Sequence, residues 1–278
     1  MKNAVVTGAG SGLGRELCLK LAERKYRILL ADVNTAGAQE TLALVKNAGG
    51  DGEVYECDVT KKEAVEHMAL HAFDKFQRVD LLINNAGVTS AGFTGEIPIN
   101  DWEWCINIDM WGMIYGCHYF IPRMKAQGGG GYIVNVASEA GLVCLPEMGP
   151  YNVAKAAVVA LSETIKTELA PHKIGVSVVC PSFFKTNLLK SMRYQTDYQR
   201  DLAQATFDHG RLSAADIAGC VMKAMDKNKL YVVPGLNAKL FWLDKRLSPE
   251  LFYRFIAFTL KNKFGEKLMM FLARHGLT

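Results

Sequence analysis

The chain has 278 residues, half of them apolar, and a net charge of only +4. That length suits one large α/β domain or two small ones, with enough apolar content for a substantial core. The charge is too small to argue for nucleic acid, and no run of about 18 apolar residues is present to span a membrane.

The first apolar segment begins at once, so no secretory leader is expected. A strand at 3–7 runs into TGAGSGLG (residues 7–14), where closely spaced glycines open a helix at 14–24. Strands then alternate with helices: strand 27–32, helix 35–47, strand 53–57, helix 61–76, strand 79–84, helix 101–126, strand 132–137, helix 151–170, strand 175–180, helix 214–226, strand 230–234. The strands are rich in Val, Ile and Leu, as expected for parallel strands buried on both faces. The alternation implies right-handed crossovers and a Rossmann-type doubly wound α/β sheet of seven parallel strands, one domain over residues 1–235. Two stretches break it: an insertion at 182–210, rich in Phe, Met and Tyr, and a tail at 236–278 read as a helical extension. Long insertions at the C-terminal ends of parallel strands usually carry function. The seven cysteines show no Cys-x-x-Cys pair, so reduced core thiols in a cytoplasmic protein are expected.

Strand, glycine loop and helix together form a pyrophosphate cradle. The glycines let the backbone come close, and the helix N-terminus offers N–H groups and a positive dipole end. Asp32 ends the second strand about twenty residues on, where a carboxylate accepts both ribose hydroxyls of an adenosine. It also repels a 2′-phosphate, since two charges ~4 Å apart cost about 4 kcal/mol at an effective dielectric of 20. Ser11 and Val33 offer no compensating cation, so NAD is expected over NADP; Arg15 is the cation nearest the glycine run in the sequence.

Ser138 follows the fifth main strand. Tyr151 and Lys155, in YNVAK, lie one helical turn apart on a shared face. An ammonium near a phenol favours the phenolate, which suits Tyr151 to proton transfer near neutral pH. A serine hydroxyl can hold the substrate oxygen beside it.

With these residues in place the chain resembles a short-chain dehydrogenase/reductase over about residues 3–235. The matching pieces are TGAGSGLG, Asp32, CDVT (57–60), NNAG (84–87), NVAS (135–138), YNVAK (151–155) and CPSFFKT (180–186). The resemblance implies hydride transfer between a nicotinamide and a carbon bearing a hydroxyl or carbonyl. Ser138 and Tyr151 would bind the oxygen, and Lys155 would also hold the nicotinamide ribose. The implied cofactor contacts are Gly8, Ser11, Gly12, Leu13, Gly14, Asp32, Asp58, Val59, Asn85, Ala86, Gly87, Tyr151, Lys155, Pro181 and Thr186. Asn84 belongs to the segment that supports the sheet. Ser182 stands where the family commonly has glycine. Asp109 stands where it usually has a catalytic asparagine, and Asn107 cannot substitute, lying ~200° around the helix. Asp109 is therefore carried as a fourth catalytic position, able to strengthen Lys155 as a cation or to raise the phenol by like-charge repulsion.

His67 and His71 have metal-ligand spacing but no third ligand in sight, so a solvated helix face is expected and no metal. Trp102, Trp104 and Trp111 cluster on a helix that often lies in the family's oligomer interface, and packing is expected of them. The resemblance implies a homodimer or homotetramer. The tail carries eight Lys/Arg against three Asp/Glu, so the rest of the chain is about −1. Basic, aromatic and amphipathic, it fits either peripheral contact with an anionic membrane or helices that cap the cleft or pack on a second subunit.

The expected activity is interconversion of a lipophilic secondary alcohol and its ketone with NAD. Phe183, Phe184, Met192, Tyr194 and Phe207 suggest an apolar pocket. Two alternatives stand beside it: an NADPH-dependent ketoreductase acting on an acyl chain or steroid, and a catalytically weak NAD-binding protein held at membranes by its tail.

Overall fold

The apolar runs become a seven-stranded parallel sheet. The computed structural model describes residues 1–260 and 263–276, with only the backbone described at 187, 263 and 264. In chain order the elements are β1 (Lys2–Thr7), α1 (Gly12–Glu23), β2 (Tyr26–Asp32), α2 (Thr35–Asn47), β3 (Asp51–Glu56), α3 (Lys62–Phe76), β4 (Leu81–Asn84), β5 (Ser90–Ala91), α4 (Ile99–Ile106), α5 (Gly112–Ala126), β6 (Gly131–Val136), α6 (Gly149–Glu168), β7 (Ile174–Val179), β8 (Arg193–Tyr194), α7 (Asp197–Asp208), α8 (Ala214–Asp226), β9 (Tyr231–Val232), α9 (Leu236–Leu247), α10 (Pro249–Leu260) and α11 (Lys263–Arg274). The main sheet runs β3-β2-β1-β4-β6-β7-β9, with every pairing parallel. β7 is buried at all six positions, which is why its sequence, IGVSVV, does not alternate.

Helices cover both faces. On one side Leu13, Leu17 and Leu21 of α1 and Ile217 and Val221 of α8 pack on Ile28, Leu30 and Ile83 of the sheet. On the other, Val65 and Met68 of α3, Phe120 and Met124 of α5 and Ile165 of α6 pack on Leu29, Leu82 and Ile133. Each such large side chain contributes about 1.5–3 kcal/mol by leaving water.

The chain winds outward from β1 to β3, then returns through β4 and proceeds to β9. The reversal leaves a crevice between the C-terminal ends of β1 and β4, where ligands of such sheets bind. Thr7 and Asn85 lock its two banks together. The Thr7 hydroxyl accepts from the backbone N–H of Asn85 at 2.9 Å and of Ala86 at 3.2 Å, while the Asn85 amide donates to the Thr7 carbonyl at 2.9 Å.

Three features depart from the sequence reading. The single helix expected at 101–126 is divided into α4 and α5 by a π-helical turn, Asn107–Trp111, which contains Asp109. The insertion at 182–210 acquires its own structure: β8 pairs with β5 in a separate two-stranded sheet, and α7 follows, with a capping box between Thr196 and Gln199. The tail, expected as a helical extension, is divided into three helices. α9 lays Ala238, Trp242 and Phe252 of the next helix against Leu142 and Val143, and α11 packs on α7. Part of the tail therefore packs on the segment after Ser138 and on the insertion. Among the described residues no helix is long and apolar enough to cross a membrane.

Candidate active site

The glycine loop after β1 is built for close approach of a ligand. Gly8 has φ +65°, and a Cβ there would lie 2.8 Å from the Ala86 Cα. A Cβ on Gly14 would collide with the Gly8 carbonyl. Ser11 is extended and α1 begins at Gly12, so the first N–H groups of α1 open toward the loop. Asp32 braces the same loop: its carboxylate accepts from Gly10 N and Asn34 N, each at 2.8 Å. Arg15 is committed elsewhere, donating to Glu40 at 2.9 Å, the Gly10 carbonyl at 2.8 Å and the Thr41 hydroxyl at 3.0 Å. Val33, beside Asp32, is exposed and uncharged.

One continuous cleft runs from this loop to the end of β6. Gly8, Ser11, Gly12, Leu13, Gly14, Asp32, Asp58, Val59, Asn85, Ala86, Gly87, Asp109, Tyr151, Lys155, Pro181 and Thr186 all line it. Ser138 is not among its lining residues. It caps the 3₁₀ turn Glu139–Gly141 by accepting from Ala140 N at 3.2 Å, and its hydroxyl exerts a small lowering influence on the Tyr151 phenol. The close backbone approach, the phosphate-sized N–H cradle and the carboxylate at the far end fit a dinucleotide.

The chemical end is buried and charged. Lys155 lies 3.0 Å from the Asp109 carboxylate, donates to the Val136 carbonyl at 3.2 Å and sits 5.5 Å from the centre of the Tyr151 ring. Asp109 is fully enclosed; it also accepts from Val88 N at 3.1 Å and from the Cys105 thiol at 3.4 Å. The π turn adds a residue to the helix where Asp109 points inward, while Asn107 is exposed.

Burial pulls Lys155 down, yet Asp109 and Tyr151 more than offset it and hold it above its ordinary value. Burial raises the Asp109 carboxyl, against the lowering influence of Lys155. Burial also raises the Tyr151 phenol. Lys155 lowers it and Asp109 raises it again, and the sum stands above the ordinary tyrosine value. The sequence reading had the ammonium making the phenol more acidic. In the folded chain desolvation outweighs that pull.

Several residues were not singled out from the sequence. Cys105 and Val88 hold Asp109; their importance follows from the π turn, which has no sequence signal. Ile108, Leu188 and Ser191 join the cleft wall. Of the aromatic set in the insertion, Phe184 lines the cleft. Phe207 is instead buried against Phe183 in an edge-to-face pair 5.6 Å apart, and Tyr194 is exposed. His71 bonds Glu53 at 2.9 Å, and the described residues hold no group of His, Cys, Asp or Glu that could bind a metal. Trp104 lies under the Arg193 guanidinium, 4.1 Å from its ring.

Comparison with known proteins identifies the family. The short chain dehydrogenase family matches residues 2–197. The oxidoreductase SadH of Mycobacterium tuberculosis is 32% identical over 260 residues, covering 92% of this chain and 94% of that protein. A short-chain dehydrogenase/reductase from Burkholderia phymatum, solved in complex with NAD, superposes with a TM-score of 0.85 at 32% identity, covering 90% and 94% of the two chains. The apo form of LigD from Sphingobium sp. strain SYK-6 gives 0.74 at 28% identity, covering 92% and 96%. The chain belongs to the short-chain dehydrogenase/reductase family of oxidoreductases.

Proposed function

We propose that the protein is an NAD-dependent dehydrogenase/reductase that interconverts a lipophilic secondary alcohol and its ketone. The observation that carries this is the buried Tyr151–Lys155–Asp109 group closing a cleft whose other end is the glycine cradle and Asp32. The bound nicotinamide would supply the hydride acceptor or donor. Gly8, Gly12 and Gly14 would hold the pyrophosphate, and Asp58 and Val59 would lie along the adenine. Asn85, Ala86 and Gly87 would form one wall, with Pro181 and Thr186 by the carboxamide.

Tyr151 acts as the acid/base at the substrate oxygen, and Ser138 orients that oxygen. Lys155 lowers the cost of phenolate formation, and Asp109 keeps Lys155 protonated. Asp32, uncompensated by Arg15 or Val33, favours NAD over NADP; the NAD complex of the Burkholderia relative supports the same preference. Phe184, Leu188 and Ile108 give the cleft its apolar wall and support a lipophilic substrate.

The enzyme works as a homodimer or homotetramer, a reading supported by Trp111, which stacks on Tyr115 and remains 41% exposed. It is cytoplasmic, with residues 236–278 as a peripheral membrane contact.

The test is an absorbance screen of NAD(H) turnover on hydrophobic alcohols and ketones, with Tyr151→Phe beside the wild type. Loss of about 10²–10⁴-fold in turnover with NAD(H) binding retained is expected. Tight NAD(H) binding by the wild type, with no turnover of any substrate, would instead favour the non-catalytic reading.

A further inference from the structure

The tail has two faces, and the fold uses only one. On α9 the inward row is Ala238, Trp242 and Lys245, spaced three and four apart: Ala238 is buried, Trp242 packs with Tyr231 at 4.9 Å between ring centres, and Lys245 donates to the Leu142 carbonyl at 2.6 Å. The outward row is Leu236, Leu240, Leu243 and Leu247, with the same helical spacing. Leu236 is 70% exposed and Leu247 75%. α10 continues the pattern with Leu251 and Phe255, 65% and 61% exposed. So many large bare apolar side chains on adjoining helices mark an interaction surface.

The charge around that surface identifies its partner. The tail carries a net +5, while the rest of the chain is about −1. Lys239 and Arg246 rim a shallow hollow between β9 and α9, floored by Tyr231, Val233, Trp242 and Leu243. An apolar floor with a cationic lip matches a lipid with an anionic headgroup and an apolar chain. A second copy on this face would set one net-positive tail against another, which opposes self-association.

We infer that the outer row of α9, with Leu251 and Phe255 of α10, docks on an anionic lipid bilayer, with Lys239 and Arg246 taking the headgroup. The inference rests on the membrane reading of the tail given above and names its face. The inner face of the same segment is anchored at two places. Lys245 ties α9 to the loop after Ser138, and α11 packs on α7 of the insertion. Docking therefore holds the segment after Ser138 and the insertion near the lipid surface, where lipophilic alcohols and ketones concentrate.

The test is co-sedimentation of the full chain with vesicles of phosphatidylcholine alone and of phosphatidylcholine mixed with phosphatidylserine. The variants are Leu243→Glu/Leu247→Glu and Lys239→Gln/Arg246→Gln, with NAD(H) binding as the check on folding. The wild type is expected to pellet with the anionic vesicles only. The lysine/arginine variant should bind roughly 25-fold more weakly, about fivefold per cation lost, and the leucine variant should stay in the supernatant. Wild type that ignores anionic vesicles, or variants captured as well as the wild type, would overturn the inference. So would variants that convert a larger oligomer to a smaller one without altering capture, since a second copy would then own the face. Capture is read without turnover, so its failure leaves the oxidoreductase assignment standing, and failure of the Tyr151 test leaves docking standing.

Discussion

The Asp109 carboxylate and the Lys155 ammonium face each other at 3.0 Å, both shut away from solvent. Breaking such a pair from one side leaves an uncompensated buried charge, which costs about 3–5 kcal/mol. Asn at position 109 is the mild way to remove the charge, because its carbonyl can still accept from Val88 N and Lys155. Asp109 raises Tyr151, so its neutralisation lowers the phenol. In Asp109→Asn the rising limb of kcat/KM against pH for alcohol oxidation should move to lower pH. An unchanged profile would make the carboxylate chemically idle.

Gly87 holds the space that lets this pair form. A Cβ there would lie 2.5 Å from the Asp109 carboxylate and 3.3 Å from the Lys155 ammonium. Gly87→Ala should lower kcat by about tenfold or more, as expected of sub-ångström displacement at reacting groups. The fold should persist, and thermal denaturation with steady-state kinetics checks both halves.

Asp32 should decide between the two dinucleotides. Replacing it with serine removes a repulsion of at most about 4 kcal/mol against a 2′-phosphate. It also removes the brace on Gly10 N and Asn34 N. The expected result is weaker use of NAD and a gain with NADP, read as the ratio of kcat/KM for the two cofactors. A ratio unmoved by the substitution would place the discrimination elsewhere.

Stability should fall steeply in alkali. Burial pushes the thiols of Cys57, Cys117 and Cys180 up to about 12 from an ordinary 9.0, and raises Cys18 and Cys105 too. Above pH 9 the unfolded chain loses protons that the folded chain keeps. Each thiol therefore removes about 1.4 kcal/mol of stability per pH unit from there up to its folded value. Lys155 acts in the same direction, since its raised value means stability present below 10.5 and lost above. Denaturant midpoints measured from pH 8 to pH 11 should drop, with a smaller drop in Cys117→Ala. A flat curve would contradict the burial of these thiols.

Local pattern carried the sheet. Seven runs of Val, Ile and Leu separated by helical periods leave few topologies, because parallel strands need helical crossovers of one hand. The glycine run, Asp32 and YNVAK were also legible, since each depends on residues within a few turns of one another. Folding then brought Gly8, Asp109 and the Tyr151–Lys155 turn from three separate segments to one cleft. The π turn at Asn107–Trp111 was not legible, because one extra residue in a helical turn leaves the surrounding apolar period nearly intact. With it went the contacts of Cys105 and Val88 with Asp109.

The balance of charge on Tyr151 lay equally beyond the chain's pattern. Spacing puts an ammonium beside a phenol, but desolvation depends on everything that encloses them, and here it dominates. The tail shows the same division. Its composition announced an amphipathic, basic segment. Only packing could assign one row of α9 to the core and leave the row of Leu236, Leu240, Leu243 and Leu247 facing out, because a helix apolar on two sides carries no local signal for which side the fold will cover.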